Sequence, residues 1–188
     1  MPEENETIRA FVALSLSDEV RAALKQRSIA FQDQFSHMNI KWVPFNNYHL
    51  TLNFIGNVQP VELDSMEALV AEAVTDIKPF ELTIGEAELF PPDQENKGVL
   101  IASVSSCGAL LTLQTRLEKV FLAAGYKFID RPYRPHVTIA RLKKNKIAQG
   151  ELMQNIEAIK TPVDHVHIYE AHKEEGRAVN SIVRSVKI

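Results

Sequence analysis

One short pattern occurs twice in this chain and carries the residues whose types and spacing could do chemistry. The first copy is His49-Leu50-Thr51-Leu52 and the second is His136-Val137-Thr138-Ile139. Each lies in an alternating apolar run, which predicts a β-strand. Because residues i and i+2 of a strand point to the same side, each copy offers one imidazole and one hydroxyl to a single face.

The apolar neighbours are expected to decide which side of each strand is buried. In the first strand Leu50, Leu52 and Phe54 share the opposite face, and in the second strand Val137 and Ile139 do so. A slip of one residue would bury the histidine, so the pattern specifies the register. Two such strands facing each other would line a groove with two histidines and two threonines.

Paired imidazoles beside paired hydroxyls suit acid–base chemistry on a phosphodiester. Since the ordinary pKa of histidine is about 6.5, neutral and protonated rings coexist near neutral pH. A neutral imidazole can take a proton from water, while a protonated one gives a proton to the leaving oxygen. Threonine hydroxyls can donate to non-bridging phosphate oxygens. The sequence has no phosphate-binding glycine loop and no Cys and His cluster at zinc spacing, so we predict hydrolysis without a metal or cofactor.

The charge distribution favours an anionic ligand near the second copy. The formal net charge of −3 argues against general attraction of nucleic acid by the whole surface. Residues 127–146, the basic segment, nevertheless carry a net +6, which leaves −9 for the rest. Its basic residues, set against Asp130 alone, are Lys127, Arg131, Arg134, Arg141, Lys143, Lys144 and Lys146. Most such runs are solvated surface, but this one brackets the second motif and so indicates a local phosphate field.

The elements expected around each copy follow one order: a strand, a helix, the motif strand, a second helix and a strand. The first half of the sequence predicts strands over 9–16, 48–56 and 80–90, with helices over 17–37 and 60–77. The second half of the sequence predicts strands over 99–104, 135–140, 163–169 and 179–188, with helices over 108–125 and 146–158. Phe11 precedes His49 by 38 residues, and Val99 precedes His136 by 37. A lone His-x-Thr-x pattern often arises by chance, but two copies in equivalent places indicate function.

Two other features compete for a functional role. His165-Val166-His167 places two imidazoles on one strand face, a pattern that can bind a metal, but no third ligand is evident in the sequence. Phe11 would support a ligand if its strand face turned toward the groove, and would belong to the core otherwise. The sequence leaves both roles of Phe11 open.

Length and composition predict a single domain, 1–188, of two intertwined lobes that carry the motifs at 49–52 and 136–139. No apolar run approaches the roughly 18 residues of a membrane span, and the acidic start is unlike a signal peptide. The single cysteine, Cys107, suits a reducing compartment. We therefore expect a cytoplasmic monomer without a membrane partner.

These features resemble the 2H phosphoesterase superfamily, and within it the RNA 2′,3′-cyclic phosphodiesterases, also called 2′-5′ RNA ligases. The resemblance covers nearly the whole chain. It rests on Arg-Ala-Phe-Val-Ala-Leu at 9–14, Trp-Val-Pro at 42–44, His-Leu-Thr-Leu-Asn-Phe-Ile-Gly at 49–56, Pro-Phe-Glu-Leu at 79–82, Arg-Pro-Tyr-Arg-Pro-His-Val-Thr-Ile-Ala-Arg at 131–141 and Ile-Tyr-Glu at 168–170.

The resemblance implies an α+β fold that is bilobal and pseudo-two-fold, with two antiparallel sheets flanking a central cleft and helices outside. It implies opening of a 2′,3′-cyclic phosphate at an RNA or nucleotide end to a 2′-phosphate and a 3′-hydroxyl, with reversible 2′-5′ RNA ligase activity as an accompanying expectation. By the family pattern His49 is the proton donor and His136 the proton acceptor. The spacing of the two motifs does not itself assign these roles.

The same resemblance implies that Thr51, Thr138 and Arg141 bind the substrate phosphate. Strand parity alone would place Arg141 with Val137 and Ile139, so Arg141 must follow a bulge or lie beyond the strand end. Arg134 and Phe11 are further candidate substrate contacts.

Two departures from the family pattern concern substrate contacts rather than the reaction. Ala171-His172-Lys173 stands where relatives often have Ser-x-Leu, and 174–177 is unusually charged. A related phosphodiesterase for 2′-5′ oligonucleotides or for a cyclic ADP-ribose phosphate would share the four motif residues, and a substrate panel separates it. A non-catalytic RNA-end binder is the remaining alternative, and the presence of both histidines argues against it.

Overall fold

The computed structural model describes residues 7–90, 98–128, 132–143, 147, 149–152 and 157–188. The strands in these ranges are Ile8–Ser15 (β1), Ile40–Trp42 (β2), His49–Val58 (β3), Phe80–Phe90 (β4), Gly98–Val104 (β5), His136–Leu142 (β6), Ile159–Val163 (β7), His165–Glu174 (β8) and Arg177–Lys187 (β9). The α-helices are Asp18–Gln34 (α1), Leu63–Val74 (α2) and Gly108–Ala123 (α3). Short 3₁₀ helices cover Phe45–Asn47, Pro60–Glu62 and Gln149–Leu152.

Most of these elements were predicted, and α1 shows the local reason. The hydroxyl of Ser17 accepts a hydrogen bond from the main-chain nitrogen of Val20 at 3.4 Å, which caps the first turn. Asp18 follows in that turn, where the helix dipole favours a negative charge. Val20, Leu24 and Phe31 are buried, so one apolar side of the helix faces the core.

The described strands other than β2 form one antiparallel sheet in the order β7-β4-β5-β6-β3-β1-β8-β9, and β2 pairs with β6. The two motif strands, β3 and β6, meet at the centre through the pair Leu50 and Val137. The two sheets implied by the family pattern are therefore continuous here. The motif strands are neighbours in that sheet, whereas the sequence suggested that they would face each other.

The strand order is symmetric about this central pair. We call β3, β1, β8 and β9 the first half of the sheet, and β6, β5, β4 and β7 the second half. In the chain, β4 follows the first motif yet pairs with β5, and β8 follows the second motif yet pairs with β1. Each half of the sheet is thus completed by a strand from the other half of the sequence.

The helices pack against the apolar face of the sheet. Helices α2 and α3 contact each other. Helix α2 lies against β9, α3 lies against β3, and α1 contacts β7. Leu24 and Phe31 of α1 also border a small space with Ala102 and Ile139, so α1 covers the second half. Among the described helices, none is both long and apolar enough to cross a membrane.

The region after β6 differs from the prediction of one helix over 146–158. Its described part holds the 3₁₀ helix at 149–152, and the strand β7 begins at Ile159. Residues 144–146, 148 and 153–156 of this region lie outside the described part. Pro162 lies in this strand, and β7 is an edge strand, where a missing N–H is tolerated.

The last two strands are longer than predicted and form a tight hairpin. Glu174 pairs with Arg177, and the two residues between them, Glu175 and Gly176, have φ values of 49° and 79°. Two consecutive positive φ values are typical of the two-residue turn whose twist matches that of a hairpin. The charged stretch at 174–177 is therefore a turn.

Candidate active site

The central pair of the sheet brings the two motifs onto one face. Leu50 and Val137 lie opposite each other in an antiparallel pair, and both are fully buried. Residues that flank them in each strand point the other way, so His49, Thr51, His136 and Thr138 share the face away from the core. We call this the motif face. The structure thus brings the two imidazoles and the two hydroxyls of the motifs onto one face.

Each motif strand has a bulge at the fourth residue of its motif. Thr51 pairs with Ala13 and Asn53 with Val12, which leaves Leu52 without an opposite residue. In the same way Thr138 pairs with Ile101 and Ala140 with Leu100, which leaves out Ile139. A bulge of one extra residue reverses the alternation beyond it. The two halves therefore repeat even this irregularity.

The bulge in β6 explains how Arg141 can serve the site. Ala140 and Leu142 are buried, and Arg141 between them is exposed on the side of His136 and Thr138. Of the two alternatives that strand parity left open for Arg141, the structure has the bulge. The charge of Arg141 also reaches His49, whose pKa it lowers.

The bulge in β3 overturns the prediction for Phe54, which was placed with Leu50 and Leu52. The Phe54 ring lies on the motif face, 5.5 Å from the ring of Phe11, and is 45% exposed. The guanidinium of Arg9 lies 5.3 Å from its centroid. Phe54 and Arg141 are equivalent positions, since each is five residues after its histidine.

His49 is held from both sides of its ring. Its Nδ1 lies 2.7 Å from the main-chain oxygen of Asn47, and its Nε2 lies 3.0 Å from the hydroxyl of Thr51. A carbonyl can only accept, so Nδ1 carries a proton and Nε2 is the nitrogen that gains or loses one. In the neutral ring the Thr51 hydroxyl donates to Nε2.

His136 repeats the first of these contacts. Its Nδ1 lies 2.7 Å from the main-chain oxygen of Arg134, again two residues earlier. The same reasoning puts a proton on Nδ1 and leaves Nε2 for proton transfer. Both motifs thus present the same ring nitrogen for acid–base chemistry.

Aromatic rings surround His49. The ring of Phe11 lies 4.8 Å and that of Tyr169 lies 5.6 Å from the imidazole, and the two aromatic rings stack at 5.1 Å. Burial is the main cause that lowers the pKa of His49, and the charges of His136 and Arg141 lower it further, against the hydrogen bond to Asn47. Burial also raises the pKa of Tyr169 to about 12, so its hydroxyl stays neutral.

Two candidate substrate contacts have other partners in the structure. Phe11 faces the motif side but is only 2% exposed, so its ring supports His49 from beneath. The guanidinium of Arg134 forms an ion pair with Glu88 and lies 4.7 Å from the ring centroid of Phe90. Of the basic segment, Arg131, Lys144 and Lys146 lie outside the described residues.

The histidine pair on β8 is engaged in hydrogen bonds. His165 Nδ1 lies 2.8 Å from a carboxylate oxygen of Asp164, and His167 lies between the hydroxyls of Ser185 at 2.8 Å and Ser15 at 3.1 Å. Within the described part of the chain, no group of three His, Cys, Asp or Glu side chains could hold a metal ion.

Sequence reasoning missed two residues that contact the motifs. One is Asn47, whose carbonyl oxygen lies 2.7 Å from His49 Nδ1. The hydroxyl of Tyr133 donates to the main-chain oxygen of Thr51 at 3.2 Å and so ties the segment before the second motif to the first. No local pattern indicated this second contact.

Relatives of known name match over much of the chain. It is 33% identical over 101 residues to an RNA 2′,3′-cyclic phosphodiesterase of Bacillus subtilis, a match that covers 54% of this chain and 55% of that protein. It is 30% identical over 169 residues to an RNA 2′,3′-cyclic phosphodiesterase of Methanothermobacter thermautotrophicus, covering 86% and 88% of the two chains.

Solved structures share the fold, which confirms the predicted α+β architecture. E. coli LigT complexed with 3′-AMP aligns with a TM-score of 0.75 at 20% identity, covering 97% of this chain and 99% of LigT. TT0787 of Thermus thermophilus aligns with a TM-score of 0.77 at 23% identity, covering 96% and 97%. The family model described as the 2′-5′ RNA ligase superfamily matches residues 18–175, a stretch that contains both motifs and both bulges, and the chain belongs to that superfamily.

Proposed function

We propose that this protein hydrolyses 2′,3′-cyclic phosphate ends of RNA to a 2′-phosphate and a free 3′-hydroxyl, with His49 as proton donor and His136 as proton acceptor. The observation that carries the proposal is the matched geometry of the two histidines. Each holds Nδ1 at 2.7 Å from a carbonyl two residues earlier, which keeps a proton on Nδ1 and makes Nε2 the nitrogen that gains or loses a proton. The names of the relatives support the same reaction.

In this reaction His136 Nε2 takes a proton from water, whose oxygen attacks phosphorus. The bond from phosphorus to the 3′-oxygen breaks, and His49 Nε2 gives that oxygen its proton. Thr51, Thr138 and Arg141 hold the non-bridging oxygens and stabilise their charge. Exchange of protons with solvent returns both rings to their starting states.

A proton donor must be protonated when the substrate is bound, yet burial and nearby positive charge lower the pKa of His49 in the unliganded protein. A phosphate anion beside Arg141 offsets that positive charge and accepts a hydrogen bond from Nε2. Both effects favour the charged imidazole. We infer that His49 takes up its proton as the substrate binds.

The difference between Phe54 and Arg141 suggests the orientation of the substrate. An exposed aromatic ring beside His49 suits the nucleoside, while the cation in the equivalent position suits the phosphate oxygens. This orientation places the leaving ribose oxygen toward His49 and the attacking water toward His136. The donor and acceptor roles then follow from one asymmetry.

Turnover of adenosine 2′,3′-cyclic phosphate, followed by phosphorus NMR, tests the proposal. We expect adenosine 2′-phosphate as the product, at a rate that EDTA leaves unchanged. A 3′-phosphate product, or loss of activity on chelation that a divalent ion restores, would contradict it. A panel with a 2′-5′ linked dinucleotide and a cyclic ADP-ribose phosphate separates the sister activities, and an RNA with a 5′-hydroxyl and a 2′,3′-cyclic end tests the reverse ligation.

We also propose that the protein acts as a cytoplasmic monomer on RNA or nucleotide ends. Its single cysteine is compatible with a reducing compartment. Light scattering during gel filtration tests the oligomeric state. A mass of two chains would contradict it.

A further inference from the structure

We propose that Asn47 is a positioning residue that orients His49 by fastening the turn before the first motif to the edge strand β9. This inference rests on the role of His49 under the proposed function. It goes beyond that function because Asn47 touches neither the substrate nor the reacting atoms.

The side chain of Asn47 uses both ends of its amide on β9. Its Nδ2 donates to the main-chain oxygen of Ala178 at 2.7 Å, and its Oδ1 accepts from the main-chain nitrogen of Asn180 at 3.1 Å. The residue is 8% exposed, so water competes little for these bonds. Two bonds in opposite senses fix the orientation of the amide plane as well as its position.

The main chain of the same residue holds the imidazole. The carbonyl oxygen of Asn47 lies 2.7 Å from His49 Nδ1, and its N–H donates to the oxygen of Pro44 at 2.8 Å within the 3₁₀ turn. The peptide that selects the tautomer of His49 is therefore fixed by the side chain of its own residue. Without that anchor the carbonyl could turn, and Nε2 could carry the proton in the neutral ring.

The second half of the sheet supports the assignment. Arg134 stands two residues before His136, gives its carbonyl to Nδ1, and is anchored through its side chain to Glu88 and to Phe90 of β4. In each half, the residue whose carbonyl contacts the histidine is thus held by its own side chain. Asn47 is held by amide hydrogen bonds, and Arg134 is held by an ion pair and a ring contact. An amide that served only to cover the open edge of β9 could come from any neighbouring residue. Here it comes from Asn47, the residue whose carbonyl contacts His49.

The test uses the full chain with Asn47→Ala, which removes both bonds, and Asn47→Asp, which keeps only an acceptor for Asn180. Asn46→Ala is the matched control, since Asn46 is the exposed neighbour in the same turn. We expect Asn47→Ala to lower kcat for adenosine 2′,3′-cyclic phosphate by about 10- to 100-fold, with KM changed by less than about threefold. Asn47→Asp should fall between it and the control.

Nitrogen NMR of the imidazole supplies a measurement that does not depend on turnover. In the parent protein neutral His49 should be a single tautomer with its proton on Nδ1, and Asn47→Ala should show a mixture. An unchanged tautomer together with a loss in kcat below about twofold would overturn the proposal. If Asn47→Ala does not fold, Asn47→Asp decides by the same two criteria.

The two proposals fail in different ways. Normal activity of His49→Ala would remove the proposed role of His49, whatever Asn47 does. An inactive His49→Ala beside a fully active, folded Asn47→Ala would instead remove only the positioning role.

Discussion

The two halves of the sheet have the same backbone plan around their histidines but place them in different surroundings. His49 lies among the rings of Phe11 and Tyr169, where burial lowers its pKa. His136 is flanked in the sequence by Arg134, which forms an ion pair with Glu88, and by Arg141. The backbone carbonyls treat the two rings alike, because each lies 2.7 Å from an Nδ1, whereas the side chains around the two rings differ.

This difference explains how two copies of one motif can divide a reaction. Two histidines in identical settings would titrate together, and neither would be preferred as donor or acceptor. Aromatic rings surround His49, while His136 lies within the basic segment of the sequence, so the surroundings of the two histidines differ. The clearest difference between the halves is at the position five residues after each histidine, which is Phe54 in one half and Arg141 in the other.

The largest expected effect comes from removing either imidazole. His49→Ala and His136→Ala should each lower kcat by about 10²–10⁴-fold, because each ring transfers a proton in the proposed reaction. Single-turnover kinetics measure the loss. His165→Ala, which removes an imidazole bonded to Asp164, is the matched control and should retain activity. Near-normal turnover in either motif variant would contradict the proposed role of that histidine in proton transfer.

The next effect concerns the cation of the second half. Arg141→Ala should lower kcat/KM by about 10- to 150-fold, the equivalent of a lost charge-assisted hydrogen bond of about 1.5–3 kcal/mol. The loss should be similar for a cyclic mononucleotide and for an RNA end, because both present the same phosphate. A loss confined to the longer substrate would place Arg141 on the RNA backbone instead.

A smaller effect is expected at the equivalent position of the first half. Phe54→Ala should weaken binding of adenosine 2′-phosphate about fivefold, since a partly exposed ring gives a stacking energy near 1 kcal/mol. Binding of inorganic phosphate, measured by calorimetry, should not change. Equal weakening of both ligands would mean that Phe54 acts through the shape of the site.

The smallest expected change is electrostatic. Arg141→Gln removes a positive charge that disfavours protonation of His49, so the pKa of His49 should rise, and its limb of the pH–rate profile should move to higher pH. An NMR titration of the imidazole measures the shift directly. Lys143→Gln, which removes an exposed cation from the same segment, is the control. A fall in the pKa would contradict the sign argued here.

Much of the fold could be predicted because its strands and helices follow local patterns in the sequence. Alternation placed the motif strands, and Ser17 marked the start of α1. Strand parity also predicted that Arg141 follows a bulge or lies beyond the strand end, and the structure has the bulge. The missed bulge in β3 has a physical reason: a bulge is a property of two paired strands, and the sequence of one strand does not show where its partner omits a residue.

The site was harder to predict wherever its contacts join distant parts of the chain. The amide of Asn47 bonds to residues 131 and 133 positions later, and the hydroxyl of Tyr133 bonds 82 positions earlier. Periodicity within a window of residues carries no information on such pairs. The two histidines were found without them because the motif is repeated, whereas the residues that orient the histidines differ between the halves.

The exchange of strands between the halves has a consequence for synthesis of the protein on the ribosome. The first motif is translated early, but its half of the sheet needs β8 and β9, and the bond from Asn47 to Ala178 spans 131 residues. A nascent chain that already contains both histidines therefore still lacks two of the strands around His49. Such long-range pairing is slow to form and leaves strand edges open meanwhile. The part of the sheet around the motif face is completed only when the hairpin of β8 and β9 forms.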